Sequence, residues 1–95
     1  MYQKFVIDSD GVLRFGTVFL HRDLLGGDDF AFGGGLWQID PADGSLILFG
    51  RSFDFGRPDF SRVERIDWSG VGGTPMPMTF YPHWPSREDA IHLQM

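Results

Sequence analysis

The chain has 95 residues and a mass of 10.8 kDa, which is the length of one domain and excludes a two-domain enzyme. Its composition, 42% hydrophobic and 22% charged, excludes a disordered tail, a collagen or a coiled coil. A net charge of −5 argues against binding to a nucleic-acid backbone. We therefore expect a single domain over residues 1–95 that does not bind nucleic acid.

The N-terminal segment and the overall hydropathy predict a cytoplasmic protein. No apolar signal-peptide core follows Met1, and no run approaches the roughly 18 apolar residues that a membrane span needs. The absence of cysteine removes disulfides, thiolate metal sites and thiol nucleophiles. We expect no association with membranes.

The first 20 residues predict a β-hairpin. Extended runs over Tyr2–Asp8 and 12–20 flank a Ser-Asp-Gly turn, in which Gly11 would supply a positive φ. The Gly-rich stretch that follows, 21–35, has no clear period, and we expect a surface loop there.

A second hairpin is predicted over residues 36–52. A short strand, 36–40, precedes a Pro-Ala-Asp-Gly turn, and the chain returns over 45–52. Apolar residues point to both sides of this returning strand, which is typical of an interior strand.

The C-terminal part predicts short elements. A short helix would begin at Asp59 or Ser61, with Glu64 completing a capping box, and an extended strand is the close alternative. A Gly/Pro connector over 70–77 then leads to a short strand, Met78–Tyr81.

A final helical turn is expected over 85–93, where Pro begins the segment and acidic residues follow. Together the elements predict an α+β fold. Its sheet would be small, mixed or antiparallel, with about five to six strands built from hairpins, and one or two short helices would accompany it.

The histidines do not have the spacing of a metal site. His21, His83 and His92 form no close pair of the kind that zinc requires. Asp28 and Asp29 are adjacent in a Gly-rich loop, where turn residues are more common than hard-cation ligands. We expect no metal and no cofactor.

The segment 49–56 has the residue types of an anion site. A buried strand runs into glycine, a cation, a hydroxyl and an aromatic turn. The Ser52 hydroxyl, free backbone amides in the turn and a guanidinium from Arg51 or Arg57 could together hold an oxyanion.

The same segment also fits an ordinary strand end. Ser52 and Asp54 would then face solvent, while Phe53 and Phe55 would enter the core. Residue types alone favour this simpler alternative.

Three segments give the chain a family resemblance. Residues 7–15, the triple glycine 33–35 and the segment 46–56 resemble, in this order, the Janus/Ocnus family of phosphohistidine phosphatase-like proteins. The resemblance covers about the first 60 residues, with a large gap. It implies an α+β fold with a mixed sheet and two helices.

The resemblance also implies a phosphate site. Carried over position by position, the phosphate-binding residues would be Arg14 and Ser52, with the backbone amides of Phe53 and Asp54. The family's general-base histidine lies on a helical insertion between the second strand and the triple glycine, and this chain has no room for that helix. His21 is the one histidine in this stretch that could replace it.

Two functions follow from these observations. A noncatalytic interaction module is favoured, because loss of a general base alone costs about 10² to 10⁴ in rate. Its partner would be a protein, a phosphorylated ligand or a second copy of the chain, since aromatic residues such as Trp37, Trp68, Trp84 and Tyr81 are common binding anchors. The alternative is a phosphate-binding protein or weak phosphohistidine phosphatase that uses Arg14 and Ser52, with His21 as its base.

Overall fold

The computed structural model describes residues 1–27 and 30–81, in which six strands form one sheet. The strands are β1 (Tyr2–Asp8), β2 (Val12–Val18), β3 (Ala31–Ile39), β4 (Leu46–Phe49), β5 (Arg65–Asp67) and β6 (Met78–Tyr81). Their order across the sheet is β5-β2-β1-β3-β4-β6. The four central strands pair antiparallel, whereas the edge strands β5 and β6 pair parallel to β2 and β4.

Both predicted hairpins are confirmed. β1 and β2 are joined by a turn in which Gly11 has a φ of 78° and its amide donates to the Asp8 carbonyl at 3.0 Å. β3 and β4 are joined across the turn 41–44. β4 lies between two strands and all four of its residues are buried, as expected for an interior strand.

The surface loop predicted for 21–35 is wrong at both ends. A 3₁₀ turn covers His21–Leu24, and β3 already begins at Ala31, so that the triple glycine belongs to a central strand. A Cβ on Gly34 would lie 2.4 Å from the Phe5 carbonyl oxygen. Glycine hides the strand's period in the sequence because it has no side chain to alternate, but here it permits close packing.

The predicted α+β fold is wrong, because residues 1–27 and 30–81 contain no α-helix. Their helical segments are three 3₁₀ turns, His21–Leu24, Phe60–Arg62 and Trp68–Val71, and the fold is a curled mixed β-sheet. Pieces this short cannot meet the nucleation cost of an α-helix. None of these turns is long and apolar enough to cross a bilayer.

The helix predicted from Asp59 or Ser61 ends after one turn. The Asp59 carboxylate does accept a hydrogen bond from the Ser61 amide at 3.1 Å, as a helix cap would. Glu64 lies beyond this turn, where its amide donates to the Gly11 carbonyl at 2.8 Å. The chain then enters the edge strand β5, so the extended alternative holds only for Arg65–Asp67.

One face of the sheet carries the main core. The connections from β4 to β5 and from β5 to β6 both pack on this face. Phe60 stacks on Phe5, and Trp68 stacks on Phe15, with 6.0 Å between ring centroids in each pair. Aromatic pairs add about 0.5–1.5 kcal/mol each beyond their buried area, so the two crossings hold the edge strands in place.

The opposite face is covered over a smaller area. Val6, Leu25 and Ala31 form its buried cluster, against which Leu24 and Phe55 pack. This cover comes from the 3₁₀ turn after β2 and from the turn after β4. It leaves a groove at the end of the sheet where β1 begins.

The helical turn predicted for 85–93 lies outside the described residues. The same holds for Asp28, Asp29, His83, Trp84 and His92.

Candidate functional site

Arg14 is held by two carboxylates. Its Nε donates to Asp8 Oδ2 at 2.8 Å, and its Nη1 donates to Asp67 Oδ2 at 3.2 Å. These bonds connect β1, β2 and β5 on the less covered sheet face. We call the three side chains the Arg14 ion-pair cluster, in which the guanidinium charge is already balanced.

Asp8 gives this cluster its buried centre. Its side chain is 4% exposed and also accepts hydrogen bonds from the amides of Asp10 and Val12, at 2.9 and 3.0 Å. Burial raises the pKa of Asp8, but the hydrogen bonds from Arg14 and from the two amides outweigh burial and hold the pKa below its ordinary value. Asp8 is therefore an ionised carboxylate that fixes the first turn.

Ser52 is part of a tight turn. The residue is 1% exposed, and its Oγ accepts a hydrogen bond from the Phe55 amide at 3.1 Å. Its backbone pairs with Gly56 through two hydrogen bonds, of 3.0 and 2.9 Å. We call residues 52–56 the Phe53 turn, because Phe53 projects from it fully exposed.

The sheet register does not bring Arg14 and Ser52 together. Arg14 lies opposite Val6 on β1, Val6 lies opposite Gly34 on β3, and the Gly34 amide donates to the Gly56 carbonyl of the Phe53 turn at 3.3 Å. Two strands therefore lie between Arg14 and Gly56, the pairing partner of Ser52, and three strand spacings correspond to about 14 Å. The apolar cluster around Val6 occupies the space between them.

His21 lies on the glycines of β3. Its Nε2 forms a 2.8 Å hydrogen bond with the Gly35 carbonyl, and its Cδ2 would be 3.0 Å from a Cβ on Gly34. Burial lowers the pKa of His21, and nearby Lys4 adds to this effect, which outweighs the opposing influence of the Gly35 carbonyl and Asp54. A carbonyl can only accept, so Nε2 carries a hydrogen, and the lowered pKa favours the neutral imidazole at pH 7.

A groove of about 430 Å³ lies beside His21. Its lining residues come from β1, the 3₁₀ turn after β2, β3 and the segment after β4: they are Tyr2, Lys4, His21, Leu36, Arg51 and Phe53. We call it the cationic groove. It brings together His21, Arg51 and Phe53, three of the residues that the sequence indicated.

The charges in the cationic groove have one sign. The Lys4 ammonium donates to the Phe19 carbonyl and lies 5.6 Å from the centroid of the Tyr2 ring. Arg51 is exposed and forms no hydrogen bond or ion pair with any residue that the structure describes. No carboxylate of the described residues lines the groove, and Asp54, next to Phe53 in the chain, forms an ion pair of 3.3 Å with Arg22.

Sequence reasoning missed Lys4 and Tyr2. Lys4 is the only lysine of the chain, and it alternates with Tyr2 on one face of β1. This pattern of a lone cation beside an aromatic residue was the available signal. The pattern could not show that β1 begins next to the Phe53 turn, because the proximity of the two segments depends on the pairing of β1 with β3.

Comparisons with protein families, with curated proteins and with solved structures find no match. The Janus/Ocnus resemblance therefore stays a prediction. Among residues 1–27 and 30–81, no three histidine or acidic side chains are grouped as metal ligands would be. The fold and the groove define a small β protein with an open, cation-lined site.

Proposed function

We propose that this protein is a noncatalytic binding module that holds an anionic ligand, such as a phosphorylated one, in the cationic groove. The observation that supports it is the pair of cations Lys4 and Arg51 beside one groove, which no carboxylate within residues 1–27 and 30–81 lines. The whole chain carries a net charge of −5, so the positive lining of the groove contrasts with the charge of the chain as a whole.

The chemistry of the two cations suits an anion. An ammonium offers three donors, of which Lys4 uses one for the Phe19 carbonyl, and a guanidinium offers a planar fork of donors. Charge-assisted hydrogen bonds contribute about 1.5–3 kcal/mol each. Two such groups in an open groove correspond to a Kd of about 1 mM for a small anion.

Binding is favoured over hydrolysis because the side chains expected to take part in catalysis lie apart from one another or already form hydrogen bonds within the protein. Arg14 is neutralised by Asp8 and Asp67, and the Ser52 hydroxyl accepts a hydrogen bond within its own turn. His21 reaches the groove without either of them.

A weak phosphatase remains the second candidate, and one observation favours it. His21 lines the groove as a neutral imidazole, which is the form that a general base requires. Hydrolysis of phosphohistidine that is lost in His21→Gln would support this candidate over pure binding.

Titration of the ¹⁵N-labelled protein with inorganic phosphate tests the proposed function. We expect the amides of residues 2–4, 21 and 51–53 to shift, with a Kd of about 1 mM. Arg51→Gln and Lys4→Gln should each weaken binding about tenfold, because each removes one charge-assisted interaction.

Arg65→Gln is the matched control. It removes the same formal charge from an exposed side chain of the edge strand β5, which does not line the groove. Equal weakening of phosphate binding by Arg65→Gln and Arg51→Gln would contradict a local site. Unchanged spectra of the unsubstituted protein at about 10 mM phosphate, ten times the expected Kd, would contradict the proposal altogether.

A further inference from the structure

Two exposed aromatic rings accompany the cations of the groove. Tyr2 is 66% exposed and Phe53 is 101% exposed, although both are large apolar side chains. They enter the groove lining from different parts of the chain, Tyr2 from β1 and Phe53 from its turn, with Leu36 of β3 as the third apolar residue. A groove for a bare anion would not require these rings.

The Phe53 ring projects from a turn that is closed by hydrogen bonds. The Ser52 hydroxyl and the paired backbone of Ser52 and Gly56 close the turn, while Phe55 anchors it to the apolar cluster around Val6. Because these hydrogen bonds already order the backbone of the turn, only the ring itself has to be ordered when a ligand covers it. The turn therefore presents an aromatic surface that is ready for contact.

We infer that the cationic groove binds a planar aromatic ring that carries an anionic group. This inference rests on the proposed function and specifies its ligand. The anion would lie between Lys4 and Arg51, and the ring would contact Phe53 and Tyr2. The guanidinium fork of Arg51 matches the paired oxygens of a carboxylate or of a phosphate.

The apolar residues determine which anions bind best. Aromatic rings pair in offset or edge-to-face geometry, and each pair adds a favourable contribution beyond the area that it buries. Two ring contacts should make an aryl anion bind about tenfold more tightly than the same anionic group alone. A neutral ring lacks the charge-assisted hydrogen bonds and should bind weakly.

The experiment compares five probes on the full chain by ligand-detected and protein-detected NMR. The probes are phenyl phosphate, inorganic phosphate, benzoate, acetate and phenol. We expect phenyl phosphate to bind about tenfold more tightly than phosphate, and benzoate more tightly than acetate, with saturation transfer to the ring protons. The comparison of phenyl phosphate with benzoate shows which anionic group the cations prefer.

Variants of the rings complete the test. Phe53→Ser and Tyr2→Ser should each reduce the aryl preference to about threefold, since each removes one of two ring contacts. Phe30→Ser and Tyr81→Ser remove rings that are 54% and 51% exposed but do not line the groove, and should keep the full preference.

The possible results separate this inference from the proposed function. Equal affinity for phenyl phosphate and phosphate in the normal protein would overturn the aromatic ligand and leave anion binding intact. Binding of phenol as tight as that of phenyl phosphate would overturn both, as would the failure of every anion to bind.

Discussion

Two cationic regions lie on the same face of the sheet, and they differ in what surrounds the charge. In the Arg14 ion-pair cluster, the guanidinium contacts Asp8 at 2.8 Å and Asp67 at 3.2 Å. In the cationic groove, the lining residues in the part of the chain that the structure describes include Lys4 and Arg51 and no carboxylate. The position of a cationic residue, after a turn or at a strand end, does not determine whether its charge is available to a ligand. The carboxylates that surround the cation determine this.

The difference in neighbouring carboxylates explains why the phosphate site expected from the family resemblance and the cationic groove are not the same place. Arg14 matches the residue that follows the first turn in the family pattern, yet its charge is used to connect β1, β2 and β5. Arg51 was one of two guanidinium candidates in the sequence, and it is the one beside the groove. We therefore expect the first region to respond in stability and the second in binding.

The largest expected effect is a loss of stability in Asp8→Ala. The substitution leaves Arg14 without its closest partner and frees the amides of Asp10 and Val12. We expect the free energy of unfolding to fall by about 2–4 kcal/mol, as measured by chemical denaturation.

The ligand response provides the control for Asp8→Ala. The phosphate affinity of the groove should stay within about twofold, because Asp8 lies outside the groove and Asp67 still pairs with Arg14. A tenfold change in affinity with unchanged stability would reverse the assignment of the two regions.

The next effect is expected at the glycine under His21. In Gly34→Ala the new Cβ would meet the Phe5 carbonyl oxygen at 2.4 Å and His21 at 3.0 Å. We expect a destabilisation of about 1–3 kcal/mol and a shift of the His21 ring resonances. Thermal denaturation and NMR measure the two effects.

Gly16→Ala is the control for this substitution. Its Cβ would also be tightly placed, but its closest neighbour is the end of the flexible Leu24 side chain at 2.6 Å. A smaller loss of stability is expected there. An equal loss in both variants would show that the position of His21 does not depend on the bare backbone of β3.

Much of the sheet could be predicted from the sequence. The Ser-Asp-Gly and Pro-Ala-Asp-Gly turns predict two hairpins because such turns join antiparallel strands over a few residues. The turn residues did not show that the predicted helix at Asp59 or Ser61 would be a single 3₁₀ turn. A capped Asp-x-Ser segment begins an α-helix and a single 3₁₀ turn equally well, and only the pairing of β5 with β2 selects the turn.

The groove was less accessible to sequence reasoning than the hairpins. Its residues belong to four separate segments, which the order β1-β3-β4 brings to one end of the sheet. Arg51 was identified by its chemistry, and His21 and the Phe53 amide by the family resemblance, whereas the exposed Phe53 ring was not expected. Lys4 and Tyr2 were missed, because a short hydrophilic strand start has no signal that specifies its spatial neighbours.

The smallest effect is expected in the pH dependence of stability. The pKa of His21 is lowered in the folded protein, chiefly by burial, so its contribution is complete above the ordinary value of 6.5 and is lost as pH falls through the folded pKa. Asp8 also has a lowered pKa, because its hydrogen bonds outweigh burial. Its contribution is complete above the ordinary value of 3.8 and is lost at still lower pH.

Denaturation across the acid range should therefore show two losses of stability. His21→Gln should remove the one that begins below pH 6.5 and keep the one that begins below pH 3.8. Added phosphate should reduce the first loss, because an anion near Lys4 favours the protonated imidazole. An unchanged pH profile in His21→Gln would show that the groove histidine is not the group that titrates.

The most direct test of the contrast between the two regions follows the arginine Nε–Hε resonances during one phosphate titration. Each resonance can be assigned with the corresponding arginine-to-lysine variant. We expect the Arg51 resonance to shift and saturate while the Arg14 resonance stays in place, because Asp8 and Asp67 already bind its guanidinium. A saturating shift of Arg14 together with an unmoved Arg51 would contradict this account and support the site predicted from the family resemblance.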